Sequence, residues 1–283
     1  MPNLQDALGF KSQFQPAIER AVAGTPLDVD MITAFACQET GEIWPVLRRR
    51  GLPTARILEL CVGDTIDASP TGGGRRALPK NKAELLTAPD GQRMFTVARQ
   101  GLVDMAACIP ADSAAASRPD KFCHGFGIFQ LDLQFFKVDP NYFLEQRYAD
   151  FDAALAKSTG ELQSVSKRLG WQQKTSLSDQ ECAGVAIAYN TGRYDTAKGL
   201  KQGYFDGAKY YGENYFAYLQ LARSAQVAPA VLASRGAAPA NKEARKSAGK
   251  KAVVAKEPAA KKAVAKKKVA VSPRSAKKTS RRA

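Results

Sequence analysis

Beyond Val227 the chain stops offering what a packed core needs. No aromatic residue follows Tyr218, and the closing stretch "AAKKAVAKKKVAVSPRSAKKTSRRA" is almost all small, apolar-poor or cationic. Residues 237–283 hold 16 of the 42 Lys and Arg but 2 of the 27 Asp and Glu, a net +14; residues 1–236 are left at +1. High charge without large apolar anchors does not offset the entropy of ordering, so residues 235–283 are expected to be a disordered Lys/Ala-rich tail. The folded part must come from residues 1–234, a length that buries a substantial core. The pI of 9.6 therefore describes an appendage on a nearly neutral body.

That body reads as mainly helical. "SQFQPAIERAVAG" predicts a first helix ending at Gly24, and Thr25-Pro26 a cap with proline in the first turn of a second, "LDVDMITAFACQE". In the second, Ile32, Phe35, Ala36 and Glu39 fall at i, i+3, i+4 and i+7, so an acid ends an apolar stripe. "ARILELCVGDTI" suggests a short strand pair and "SPTGGGRRALPKN" a loop. Met94, Val97, Ala98, Leu102 and Met105 have the spacing of a packed helix. Further helices are expected at 144–157, 160–170, 178–189 and 207–226.

Several functional classes fall away. The five cysteines are scattered and show no C-x-x-C spacing, and His124 is the lone histidine, so the default expectation is reduced thiols and no metal, with one or two disulfides left open as the alternative in an oxidising compartment; no cofactor is implied. No apolar run approaches the roughly 18–20 residues of a spanning helix. The start lacks the basic, apolar and small-residue blocks of a secretory signal, which predicts synthesis in the cytoplasm.

Three segments carry chemistry when taken in order: Glu39 in "CQETG", the Gly127-x-x-Gln130 step in "HGFGIFQLD", and Tyr189-Asn190 in "AIAYNTG". Together they resemble the signature segments of the lysozyme-like lytic transglycosylases and, most closely, the goose-type lysozymes. "DKFCHGFGIFQLD" is similar to the goose-type pattern of two acids around a glycine pair, with Asp120 and Asp132 at the acidic places, and "YYGENYFAYLQLAR" to the closing helix. The likeness spans roughly residues 27–226. Thr40 stands where the family usually has Ser, and the long stretch after Glu39 implies an insertion at about 46–118.

The resemblance implies a mainly α, α+β lysozyme-like fold with an inserted subdomain. It implies cleavage of the β-1,4 bond between N-acetylmuramic acid and N-acetylglucosamine in peptidoglycan strands, with Glu39 as general acid. Asp120 and Asp132 would orient water, while Gly127, Gln130, Tyr189 and Asn190 would bind sugar; Phe126, Phe129 and Tyr194 are candidate groove walls. The chemistry suits an acid on an apolar stripe, because burial keeps a carboxyl protonated nearer neutral pH. A lytic transglycosylase giving 1,6-anhydro products remains an alternative, as do chitin as substrate and a non-catalytic polyanion or nucleic-acid binder. Action on the periplasm or cell wall would follow specialised secretion or lysis, with the tail holding a polyanion, either nucleic acid or an anionic envelope polymer.

Overall fold

A computed structural model describes residues 1–69 and 74–228, all within one compact unit. Helices α1 (Leu4–Val22), α2 (Val29–Thr40), α3 (Trp44–Arg49) and α4 (Thr54–Leu60) precede strand β1 (Val62–Gly63). Then come α5 (Lys82–Leu86), α6 (Gly91–Cys108), α7 (Ser113–Ala116), β2 (Gly125–Phe126) and β3 (Leu131–Asp132). Helices α8 (Pro140–Leu144), α9 (Phe151–Arg168), α10 (Asp179–Thr191) and α11 (Tyr211–Ser224) complete the described chain. It is mainly helical, and none of the described helices is long and apolar enough to cross a membrane. The expected disordered tail lies outside the described residues.

The centre is α2, whose Met31, Ile32, Phe35 and Ala36 are fully buried. Its N-cap is Asp28, which accepts from the Met31 N–H at 2.7 Å, rather than Thr25. Thr25 instead closes the turn after α1, its hydroxyl donating to Val22 O at 2.7 Å. Helix α11 packs against α2, and Tyr215 donates to Met31 O at 3.1 Å. Buried Lys11 of α1 donates to Ala222 O and Ala225 O, both at 2.8 Å, and pairs with Asp30 at 2.5 Å. It thereby partners the Ala225 carbonyl just past α11 and adds a second donor to Ala222 O, which already takes the Ala225 N–H at 3.1 Å.

Two sequence expectations are corrected. The 55–66 stretch is not a strand pair but most of helix α4 followed by the two-residue β1. The helices expected at 144–157 and 160–170 are one helix, α9, running through Gly160. Its stripe of Phe151, Ala154, Leu155, Leu162 and Val165 continues across the glycine, and that burial outweighs the ~1 kcal/mol penalty of glycine in a helix. Residues of the expected insertion at about 46–118 pack into the common core. Leu47, Leu60, Val62, Met94 and Leu102 share one buried cluster with Phe35 and Phe126.

The small antiparallel sheet, ordered β1-β2-β3, builds the wall opposite α2. Val62 pairs with Phe126 and Gly63 with Gly125, then Gly125 with Asp132 and Phe126 with Leu131. The β2–β3 turn needs its glycine twice over: Gly127 has φ +78°, and an added Cβ would stand 2.9 Å from Tyr148 O. The Thr40 hydroxyl ties this turn to the end of α2, donating to Ile128 O at 2.7 Å.

Candidate active site

Between α2, the sheet, α9 and α10 lies a cleft of about 480 Å³ lined by Glu39, Asp64, Gly125, Gln130, Asp132, Gln134, Phe135, Glu161, Val165, Arg168, Tyr189 and Asn190. All three signature segments meet there. A hollow of about 350 Å³ between α1, α3 and α4 is lined by no carboxylate and offers no acid–base chemistry.

Glu39 sits in the last turn of α2, half-buried above the fully buried Ile32, Phe35 and Ala36. Burial pushes its carboxyl up to about 7, even though a hydrogen bond from Tyr211 pulls the other way. Tyr211 Oη donates to Glu39 Oε1 at 2.6 Å. Burial also lifts the Tyr211 phenol well above its usual range, so it stays a donor. The net result is an acid that holds its proton near neutrality with one oxygen engaged.

Gln130 occupies a left-handed turn position at φ +50°. Its amide donates to Gly127 O at 2.9 Å and Cys61 O at 3.3 Å. The glycines explain how it fits. An added Cβ on Gly125 would lie 2.3 Å from Gln130 Oε1, and one on Gly63 2.9 Å from it. Those two glycines are register partners across β1 and β2, so the sheet is bared where the carboxamide lies over it.

The two acidic places come out differently. Asp132 lines the cleft, but Asp120 does not: it is exposed and paired with neighbouring Arg118 at 3.5 Å. The segment 110–121 turns outward through α7, carrying Asp120 to the surface. Asp64, just after β1, is in the cleft instead. Its backbone is left-handed (φ +49°), and its carbonyl takes the His124 N–H at 2.8 Å and lies 3.0 Å from His124 Nδ1. His124 is fully buried, and burial holds its basicity down, which suits a neutral structural role.

Arg75 joins the two carboxylates. This buried residue sends Nη1 to Asp132 Oδ2 and Nη2 to Asp132 Oδ1, both at 2.7 Å. Nε donates to Pro79 O at 2.8 Å and Nη2 to Leu78 O at 3.2 Å. Four of its five N–H groups are thus engaged, and Nη1 also stands 3.6 Å from Asp64 Oδ2. Asp132 Oδ1 additionally accepts from Gln134 N at 2.7 Å. Three of its roughly four acceptor positions are therefore occupied, which makes Asp132 a fixed anion and leaves Asp64 the freer carboxylate.

Tyr189 and Asn190 line the cleft at the end of α10. The Tyr189 ring stands edge-on to Phe35, centroids 4.8 Å apart. The proposed groove walls do not: Phe126 and Phe129 are buried in the core, and Tyr194 packs on Trp171, 6.2 Å between ring centroids. Gly127 shapes the turn but does not line the cleft.

Sequence reasoning missed Asp64, Arg75 and Tyr211. For Tyr211 a signal existed, since positions 211, 215, 219 and 222 form the buried stripe of α11. Arg75 had none: nothing in "GGGRRALP" separates it from exposed Arg76. No family of known proteins, no curated protein and no solved structure matches the chain.

Proposed function

We propose that this chain is a peptidoglycan-cleaving glycosidase with a lysozyme-like fold. The observation that carries the reading is Glu39: an acid whose affinity for a proton lies near neutral pH, opening into a polar cleft also lined by the carboxylates of Asp64, Asp132 and Glu161. Glycosidic cleavage asks for that combination.

In this reading Glu39 gives its proton to the bridging oxygen as the C1–O bond breaks. Water then adds to C1 and passes a proton to Asp64, while Arg75-bound Asp132 stabilises the positive charge that develops on the sugar. Tyr211 keeps the acid aimed, and the carboxamides of Gln130 and Asn190 offer partners for the acetamido groups. If water is excluded, the muramyl C6 hydroxyl attacks C1 instead and an anhydro sugar results.

Product analysis by mass spectrometry on purified sacculi tests this. Reducing ends are expected from wild type. Asp64→Asn is expected to lower their yield by about a hundredfold, and Asp120→Asn to change nothing. Anhydro ends alone would favour the transglycosylase, and an unaffected Asp64→Asn would remove that residue from the mechanism.

The cationic segment 237–283 supports a second element of the proposal: it tethers the enzyme to a polyanion. Sequence-independent binding of this kind weakens steeply with salt as counterions cease to be released. Retention on DNA and on lipopolysaccharide should fall by orders of magnitude between low and moderate salt, and vanish without residues 237–283. Equal retention of the truncated chain would refute the tether.

A further inference from the structure

An aromatic surface lies beside the cleft and plays no part in the chemistry above. Tyr204 is 72 % exposed and Phe205 48 % exposed, in a segment that is otherwise firmly held. Phe205 pairs with Tyr210 in an antiparallel bridge, with ring centroids 4.9 Å apart. Asp206 closes the turn between them, accepting from the N–H groups of Ala208 and Lys209 and from Asn214 Nδ2, each at 2.8 Å. Gln202 staples the base by donating to Asp195 O at 2.8 Å and Gly199 O at 2.7 Å.

This surface is continuous with the site. Gly203, at φ +87°, packs so closely that an added Cβ would stand 2.6 Å from Tyr211 Cβ and 3.2 Å from Asn190 Oδ1. Asn190 lines the cleft, and Tyr211 holds the acid. The Tyr211 N–H donates to Tyr204 O at 2.7 Å, so the residue that touches Glu39 also carries the platform.

Exposed aromatics on a rigid scaffold cost solvation and mark a binding surface. We propose that Tyr204 and Phe205 form an additional sugar-binding subsite, extending the cleft beyond Asn190 along the glycan strand. The ligand class is the apolar C–H face of an N-acetylated hexosamine ring. Such a face, slightly positive at its hydrogens, meets the negative face of an aromatic ring favourably, while its hydroxyls stay in water. The assignment rests on the glycan reading for the identity of the polymer. The strand, and not a protein, is the favoured occupant because the patch continues a polar cleft instead of an apolar groove.

The test measures binding apart from turnover. Full-length chain carrying Glu39→Gln is cosedimented with purified peptidoglycan sacculi at about 0.5 M salt, where attraction by the tail is screened. Adding Tyr204→Ala and Phe205→Ala is expected to weaken binding about tenfold or more, with unchanged melting because both side chains are exposed. Exchanging the two aromatics, Tyr204→Phe with Phe205→Tyr, is expected to preserve it. Unchanged binding by the double alanine variant would overturn the subsite, as would an equal loss in the exchange variant. Weakened binding by the double alanine variant upholds the platform even if wild type cuts nothing, in which case only the catalytic reading fails.

Discussion

Under the proposed function, Glu39→Gln is expected to lower cleavage of cell-wall glycan by about a thousandfold and to make the protein more stable at pH 8. The first effect is expected because, in the proposed mechanism, Glu39 protonates the leaving oxygen, and general-acid catalysis contributes about 10²–10⁴-fold. The second follows from the raised proton affinity. The folded carboxyl titrates near 7 and an unfolded one near 4.5, so the native state binds the extra proton between those values. The contribution of Glu39 to stability is thus fully present below about pH 4.5 and declines as pH rises through 7. Above that, a half-buried charge persists at a cost on the order of 2 kcal/mol, less than full burial would impose. Glutamine avoids it and still accepts the Tyr211 hydrogen bond. Melting temperatures of variant and wild type are expected to coincide near pH 4 and to differ by about 4–8 °C at pH 8. Wild-type activity should also fall above about pH 7, as the acid loses its proton. A variant that retains activity, or one that melts alike at both pH values, would remove Glu39 from its role.

How much of this the amino-acid order disclosed depends on the range over which each residue acts. The stripe Ile32-Phe35-Ala36-Glu39 lies within two helical turns, and its burial is a local consequence of period. Gln130 and Gly127 were visible because a tight turn confines them. Asp64 and Asp120 are the instructive pair. Both are acids near Gly in loop-like sequence, and only β1 pairing with β2 brings Asp64 to the cleft while α7 turns Asp120 away. Register between strands 60 residues apart has no short-range signature. Arg75 was hidden for a related reason: its burial is created by carbonyls of Leu78 and Pro79 and by a carboxylate 57 positions away. Phe126 and Phe129 failed as groove walls because large aromatics gain most from full burial, and the core had room for them.

Arg75 is the second position where a single change should act strongly, and its effects separate placement of charge from mere stability. Asp132→Ala strips both strong contacts from a guanidinium with a side chain only 5 % exposed. A buried pair broken from one side costs about 3–5 kcal/mol. Asp132 is itself 28 % exposed and Asp64 stands nearby, so about 2–3 kcal/mol is expected here, a fall in melting temperature of roughly 4–12 °C. Arg75→Met should cost less, because the stranded carboxylate reaches water. It has a kinetic signature instead. With the cation gone, the Asp64 and Asp132 carboxylates lie uncompensated in the same cleft as Glu39, and Glu39 holds its proton more tightly. The alkaline limb of the pH–rate profile, set by Glu39, should move to higher pH, and kcat at pH 6 should drop about a hundredfold. The double variant Arg75→Met/Asp132→Leu is expected to regain most of the lost stability, since an apolar pair can replace a buried ionic one, while staying as inactive as the worse single variant. An unmoved alkaline limb in Arg75→Met, with activity lost only in proportion to unfolding, would reduce Arg75 to scaffolding.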